Sequence, residues 1–486
     1  MDAVNDGIVA VGDVYWSYLL IPLLVVVSVY FTVRSGLVQL RLLPEMFRVL
    51  GNPAETAPDG KKAISSFQAF AISAAARVGT GNIVGVATAI ALGGPGAVFW
   101  MWMMALVVGA ASFVESTLAQ LYKVRDRTGF RGGPAYYMQY GLRSRWMGVL
   151  FAVVITLTFG FVFNTVQANS IADAITSSVE AVGVQSTGPM LSVVIGLALA
   201  VVTGLVIFGG VRRIAHVAQA LVPFMALLYI VLGLVVVAMN IQEVPGVIVQ
   251  IVTSAFGLGE IVAGGVGTAI MQGMRRGMFS NEAGLGSAPN AGATASVSHP
   301  VKQGLVQTLG VYFDTLIVCS TTAFIVLLSD PVYGENRGPS MTQEALEANL
   351  GGWSIHALTV ILFLLAFTSV LGNYYYGESN LGFLSASPGV LTGYRALVCL
   401  MVFLGAIGSV QVVWSLADLT MGIMALINLA AIAPLGGIAF RLLKDYTLQR
   451  RAGAEPVFTR DRLPDIGGVQ CWDPEPVREE AGTARD

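Results

Sequence analysis

The stretch Arg77-Val78-Gly79-Thr80-Gly81-Asn82 interrupts an apolar run that otherwise extends from about residue 67 to residue 92. The run is long enough to cross a bilayer, which takes about 20 apolar residues. Its middle nonetheless holds two glycines, a threonine and an asparagine, with an arginine just before them. Glycine costs a helix interior about 1 kcal/mol. Irregular backbone at membrane depth persists only where it lines a cavity or is buried in protein. Close helix packing accounts for the glycines, but it has no use for Thr80, Asn82 and Arg77. A break at mid-depth exposes the ends of two half-helices, with partly positive N–H groups at one end and carbonyl oxygens at the other. The chemistry this offers is binding: a carboxylate suits the first end, an ammonium group or a hard cation the second.

A second interruption runs from Arg276 to Pro289 and contains Phe279, Ser280, Asn281, Glu282, Gly284 and Gly286. A water-exposed loop has the same composition. Other candidate oxygen ligands are Thr368 and Ser369, adjacent in an apolar run, and Asn164, Gln167 and Asn169 in another. A Thr-Ser pair in a membrane helix also bonds back to its own carbonyls, and buried amides also serve as interhelical glue. Glu115, Asp173, Asp314, Asp418, Arg275 and Arg276 lie in or near apolar runs as well. Charges at such depth face a cavity or pair with one another.

The elements that carry these residues follow from composition. Of 486 residues, 55% are hydrophobic and 12% charged, about half the charge of a soluble protein. This is an all-α polytopic membrane protein. Apolar runs predict about eleven spanning helices, near residues 15–33, 67–92, 98–122, 146–175, 190–208, 217–239, 261–284, 305–328, 355–375, 396–410 and 416–442. The segment 247–256 is too short to span. The two breaks fall in the second and seventh runs, which enter the bilayer from opposite sides. Each opens a set of five. This is the pattern of an inverted repeat whose discontinuous helices meet at the midplane. Residues 1–34 then form an additional helix, 35–244 the first repeat, 245–444 the second, and 445–486 a disordered cytoplasmic tail. With the N-terminus outside, nearly all Lys and Arg fall inside, as the positive-inside rule requires. Three lone cysteines and three scattered histidines offer neither a metal cluster nor a nucleophile with its base. No basic tract suggests nucleic acid, so enzyme and nucleic-acid binder are both disfavoured.

Seven motifs carry a resemblance over essentially the whole chain up to about Lys444. They are Val-Gly-Thr-Gly-Asn at 78–82, Gly-Gly-Pro-Gly-Ala at 93–97, Gly-Gly-Pro-Ala-Tyr-Tyr at 132–137, Gln-Ala-Asn-Ser-Ile-Ala at 167–172, Phe-Ser-Asn-Glu-Ala-Gly at 279–284, His-Pro-Val-Lys-Gln-Gly at 299–304 and Trp-Ser-Leu-Ala-Asp at 414–418. Together they closely resemble the alanine or glycine:cation symporter family, the sodium:alanine symporters of the amino acid-polyamine-cation superfamily. The resemblance implies the five-plus-five inverted repeat of the bacterial leucine transporter with one extra N-terminal helix. It implies uptake of L-alanine or glycine, or D-alanine, across the cell membrane, driven by sodium or protons, with no organic cofactor. Thr80 and Gly81 then meet the substrate carboxylate, with Asn82 beside them. Ser73 and Gln167 line the same pocket, and Met278 and Phe279 close its apolar side. Ser280, Asn281 and Glu282 contact the ammonium group. Fold analogy places sodium at Thr368, Ser369 and the carbonyls near Ala75 and Val78. A nucleobase or a larger amino acid is the alternative cargo.

Overall fold

The computed structural model describes residues 12–53, 63–126, 129–183, 189–258, 265–334, 339–408 and 410–473. Helices dominate because a backbone in hydrocarbon must bond to itself. In chain order, α1 is Gly12–Arg34 and α2 the short Leu43–Leu50. The broken second span is α3, Ser66–Arg77, and α4, Gly81–Gly93, bent by 52°. Then come α5 (Gly96–Leu121), a small hairpin of β1 (Val124–Asp126) and β2 (Gly129–Arg131), α6 (Pro134–Tyr140), α7 (Arg145–Ala181), α8 (Pro189–Ile207), α9 (Gly210–Met239) and α10 (Val244–Ala255). The second half holds α11 (Gly265–Asn281), α12 (Ala288–Gly292), α13 (Pro300–Leu327), α14 (Ser340–Leu350), α15 (Trp353–Leu384), α16 (Pro388–Ile407) and α17 (Val410–Arg451).

Nine of these helices are long and apolar enough to cross a bilayer, and the bent pair α3–α4 makes ten, among the described residues. The eleventh expected span is α11. It is 17 residues long among the described residues and does not meet that standard alone. The expected start of that span, at 261–264, lies outside the described residues. The short α10 behaves as expected and buries only Val247, Ile251 and Ala255.

The core is built around α5, which packs against α1, α10, α11, α12, α13 and α17. In the apolar windows of α5, α13 and α15, 67% of residues are buried, against 28% in α8 and α16. The latter two form the periphery, on α7. Each break has a local cause. Helix α3 begins with a capping box, Ser65 with Gln68, and ends at Val78, whose ψ of 88° leaves the helical region. After α11 the chain turns through Glu282, Gly284 and Gly286 at φ of +57°, +79° and +79°. Two of these three left-handed positions are glycine, which adopts them without steric cost.

The C-terminal end departs from expectation. Helix α17 continues to Arg451, and residues 452–473 are ordered against the bundle instead of loose. Phe458 and Trp472 are buried and meet edge to face, with centroids 5.6 Å apart. The Phe458 N–H donates to the Ser298 carbonyl at 2.8 Å. Trp472 Nε1 donates to the Gln120 carbonyl at 3.2 Å, and Lys123 Nζ lies 4.6 Å from its ring centroid. Glu455 pairs with both Lys302 and Arg48. Two aromatic anchors and one carboxylate dock a segment that carries no motif. Residues 474–486 lie outside the described residues.

Burial opposes ionisation of Glu455, yet hydrogen bonds from Lys302 and Arg48 outweigh it and hold the carboxyl below the usual glutamate range. The folded value is the lower one. The anchor is therefore fully present above the unfolded value of about 4.3 and is lost as pH falls through the folded value. Hydrogen–deuterium exchange, corrected for intrinsic rate, is expected to quicken over residues 455–472 in two cases. One is Glu455→Gln at neutral pH, the other the unmutated protein below about pH 4. The spanning helices are expected to stay protected in both.

Candidate functional site

At the first break, side chains replace the missing helical bonds. The Gly79 N–H donates to Asn82 Oδ1 at 2.9 Å, and the Thr80 N–H donates to Gln167 Oε1 of α7 at 3.2 Å. Ser369 of α15 donates to the Leu365 carbonyl at 3.0 Å and lies 3.5 Å from the Val78 carbonyl. The glycines are required by proximity. A Cβ at Gly79 would collide with Ser369 Oγ and stand 3.1 Å from Gln167 Oε1, and one at Gly81 would come within 2.9 Å of the Phe279 ring.

The second break is held in the same way. Glu115 of α5 accepts the Gly284 and Gly286 N–H groups at 3.2 and 3.1 Å and an Asn428 amide at 2.8 Å. It braces the unwound chain, where the sequence left ion pairing open. Asn281 Oδ1 accepts the Ala283 N–H at 3.0 Å, and Asn281 Nδ2 donates to Thr315 at 3.2 Å. Glu282 accepts from Ser287 at 2.7 Å.

Asp314, in the middle of α13, joins the two breaks. Its carboxylate accepts from Asn82 Nδ2 at 2.6 Å, Ser280 Oγ at 2.8 Å and Thr315 Oγ1 at 3.0 Å. Asn82 belongs to the first break and Ser280 to the end of α11. Cys319 Sγ lies 3.3 and 3.2 Å from the same two residues.

One side of this centre is covered by rings. Phe279 stacks on Phe163 at 4.8 Å and faces Trp414 at 5.0 Å. Above them the Arg276 guanidinium lies 5.2 Å from the Trp414 centroid and bonds Asp418 at 2.5 Å. Arg275 reaches Asp13 at 2.7 Å and lies over Trp16, whose Nε1 donates to the Asp418 carbonyl at 3.2 Å. The additional helix α1 is thus fastened onto this cover.

Of the expected site residues, Thr80, Gly81, Asn82, Gln167, Phe279, Ser280, Val78 and Ser369 come together around the first break. Asn281 and Glu282 are occupied within the second. Ser73 bonds its own helix through the Phe70 carbonyl at 2.9 Å, and Thr368 through the Leu365 carbonyl at 2.9 Å. Ala75 lies at the C-terminal end of α3, where carbonyls lack helical partners. Met278 is fully buried and, one residue from Phe279, points about 100° away from it.

Two residues were missed as site members. In the sequence Asp314 reads as a membrane-depth carboxylate that pairs with another charge or carries a proton, and nothing in its spacing places it at the breaks. Asn373 is fully buried, yet among the described residues neither polar atom of its side chain has a partner. Its position four residues after Ser369 places both on one helix face. Thr80 Oγ1, Arg77 Nε and Arg77 Nη2 are likewise buried and without a hydrogen-bond partner among the described residues. Of these groups, Thr80 lies on the first break itself, and Asn373 shares the helix face of Ser369, which meets that break.

Comparison with known proteins is consistent along the chain. A family model described as the sodium:alanine symporter family matches residues 1–460. The probable sodium/glutamine symporter GlnT of Bacillus subtilis is 51% identical over 97% of this chain and 97% of its own. The amino-acid carrier protein AlsT of the same organism is 51% identical over 96% and 97%. The sodium/alanine symporter AgcS of Methanococcus maripaludis is 36% identical over 92% and 98%.

The geometry separates two glycine substitutions. Gly79→Ala pushes a methyl group into Ser369 and Gln167 and is expected to abolish solute binding while the protein still reaches the membrane. Gly437→Ala, where a Cβ meets nothing within 4 Å among the described residues, is expected to leave binding unchanged. Ligand-induced thermal shift of the purified variants measures both.

Proposed function

Because the chain belongs to the sodium:alanine symporter family and is a multi-pass membrane transporter, not an enzyme, we propose that it takes up L-alanine or glycine together with sodium. The observation that carries this reading is the first break. Glycine backbone at positions 79 and 81 is approached on one side by Gln167 and Ser369 and on the other by the Phe279 ring.

The substrate carboxylate sits at the start of α4, on the N–H groups near Thr80 and Gly81, where the helix end supplies partial positive charge. The ammonium group turns toward the carbonyl end of α11, beside Ser280, with Asn281 and Glu282 just behind. Phe279 closes the side-chain end and keeps it short. Sodium lies at the end of α3, between the Ala75 and Val78 carbonyls and the hydroxyls of Thr368 and Ser369. Hard cations take such oxygen ligands. No bond is made or broken. Each solute need only favour the occupied state that can reorient, and each then raises the affinity for the other.

Residues 35–244 and 245–444 act as the two inverted repeats that rock about this centre, with the N-terminus outside and the C-terminal segment cytoplasmic. In that orientation the ring stack and the Arg276–Asp418 pair form the outer gate, and docked residues 452–473 lie on the inner face.

A larger cargo has one observation in its favour: the relative named as a probable sodium/glutamine symporter, at 51% identity. The distance from Gly81 to Phe279 weighs toward the smaller one. Labelled alanine uptake into proteoliposomes under an inward sodium gradient, against a choline control and a separate proton gradient, tests the reading. Competition by glycine, D-alanine and glutamine sizes the pocket. Sodium-dependent alanine uptake is expected, with glutamine a poor competitor. Uptake driven by protons alone, or preference for glutamine, would overturn the corresponding part. Thr80→Ala and Asn82→Ala are expected to lower uptake at least about tenfold, the effect of losing 1.4 kcal/mol of binding. Thr368→Ala is expected to raise the half-saturating sodium concentration instead.

A further inference from the structure

We propose that the hollow between the end of α1 and the extension of α17 binds the headgroup of an anionic phospholipid, a phosphodiester that carries no cation of its own. The site lies apart from the two helix breaks and is independent of how they are read.

The hollow stands at the membrane boundary. On α1, Val26, Val29, Tyr30 and Val33 are exposed at helical spacing. These side chains are mainly apolar, so the stripe faces hydrocarbon, and Arg34 ends it. On α17, every exposed position from Ala430 to Arg451 lies three or four residues from the next, which makes a single stripe. It carries no charge as far as Gly437, and then Arg441, Lys444 and Arg451. The Arg34 guanidinium lies 5.8 Å from the Phe440 ring centroid, so the two stripes turn basic at the same level. That change from apolar to basic marks the start of the headgroup layer.

The charge around the hollow is of one sign. Its volume is about 280 Å³, Arg34 and Arg41 line one wall, Lys444 and Arg451 line the other, and none of its lining residues is acidic. Arginines nearby on the same end of the molecule are neutralised. Arg48 pairs with Glu45 and Glu455, Arg450 with Glu45, Arg441 with Asp465 and Arg462 with Asp445. Among the described residues, the four basic side chains of the hollow take part in no ion pair. Four like charges around one space repel each other, and an anion between them removes that cost. Three of the four are arginines, whose planar fork matches phosphate oxygens.

One wall is held in place by the backbone. The chain leaves α1 through Gly36 and Leu37, at φ of +62° and +56°. The second is a left-handed position without glycine's freedom. This turn brings Arg41 Nη2 to 3.3 Å from the Ser35 carbonyl, and a Cβ at Gly36 would stand 3.1 Å from Arg41 Nη1. Arg34 is steadied between the Phe440 and Tyr30 rings, 6.0 Å from the second. The acyl chains of a lipid seated here run along the Val26–Val33 stripe. A choline headgroup would bring its own cation into a basic hollow, and free phosphate would leave the apolar stripe unused. An anionic phospholipid meets both features. Its headgroup links α1 to α17 at the opposite end from the Trp16–Asp418 fastening.

The test uses purified full-length protein in phosphatidylcholine mixed micelles at constant ionic strength. Thermal unfolding is followed during titration with phosphatidylglycerol and, separately, with inorganic phosphate. Phosphatidylglycerol is expected to raise the midpoint saturably, and phosphate is not. Arg34→Gln with Arg41→Gln removes one wall, and Lys444→Gln with Arg451→Gln the other. Each pair is expected to raise half-saturating phosphatidylglycerol at least about tenfold, as the loss of two basic side chains near an anionic lipid surface predicts. Arg441→Gln with Arg462→Gln removes the same charge from paired residues and is expected to leave it unchanged. If one wall variant does not fold, the other decides. An equal loss in all three variants would reduce the effect to diffuse attraction and overturn the site, as would an unmutated protein indifferent to phosphatidylglycerol. A response to inorganic phosphate as large as that to the lipid would overturn the lipid as occupant.

Discussion

The structure depends on one constraint: where a helix stops inside a membrane, its backbone groups must find other partners. Both breaks meet it with side chains from elsewhere in the bundle. Gln167 and Asn82 serve the first; Glu115, Asn428 and Asn281 serve the second. These partners come from α5, α7 and α17 as well as from the breaks themselves. The backbone that holds a solute is therefore positioned by most of the core at once, and a change at any of these side chains is felt at the site without touching the solute.

That dependence explains what could be read in advance. The helices were legible because hydrophobicity over about twenty residues is a local property. The first break was legible because Gly79, Thr80, Gly81 and Asn82 are consecutive, and the second because Glu282, Gly284 and Gly286 concentrate left-handed backbone within five positions. The partners were not. Glu115 meets Gly284 across 169 positions, and Asn82 meets Asp314 across 232. Nothing in the spacing of either residue announces the other. Asn373 had a local signal, its register with Ser369, but an asparagine in an apolar run reads equally as packing glue. The docked C-terminal segment was not legible because its anchors, Phe458 and Trp472, fall in short stretches with no helical or strand period and meet partners far away in sequence, Ser298 and Gln120.

The cover over the centre mixes two kinds of contact with different reach. The rings of Phe163, Phe279 and Trp414 interact only when they touch. The Arg276–Asp418 pair above them acts at longer range and is strengthened by burial. A cover built this way separates in stages, with the rings losing contact before the charges cease to attract. Helix α1 adds its own fastening through Tyr15, Trp16 and Asp13, so it is mechanically part of the cover.

The Glu115 brace has a consequence for how the molecule is made. Its carboxylate enters the bilayer with α5, but the N–H groups it caps are translated 169 residues later and the Asn428 amide 313 residues later. At roughly 5–20 residues per second, the first interval alone is on the order of 10–30 s. Throughout it a nascent span carries a carboxylate with no native partner. Insertion machinery, temporary neighbours or a bound proton must shelter it until α11 and α17 arrive. Assembly of this protein is thus an ordered wait, and the last spanning helix closes a contact that the third one opened.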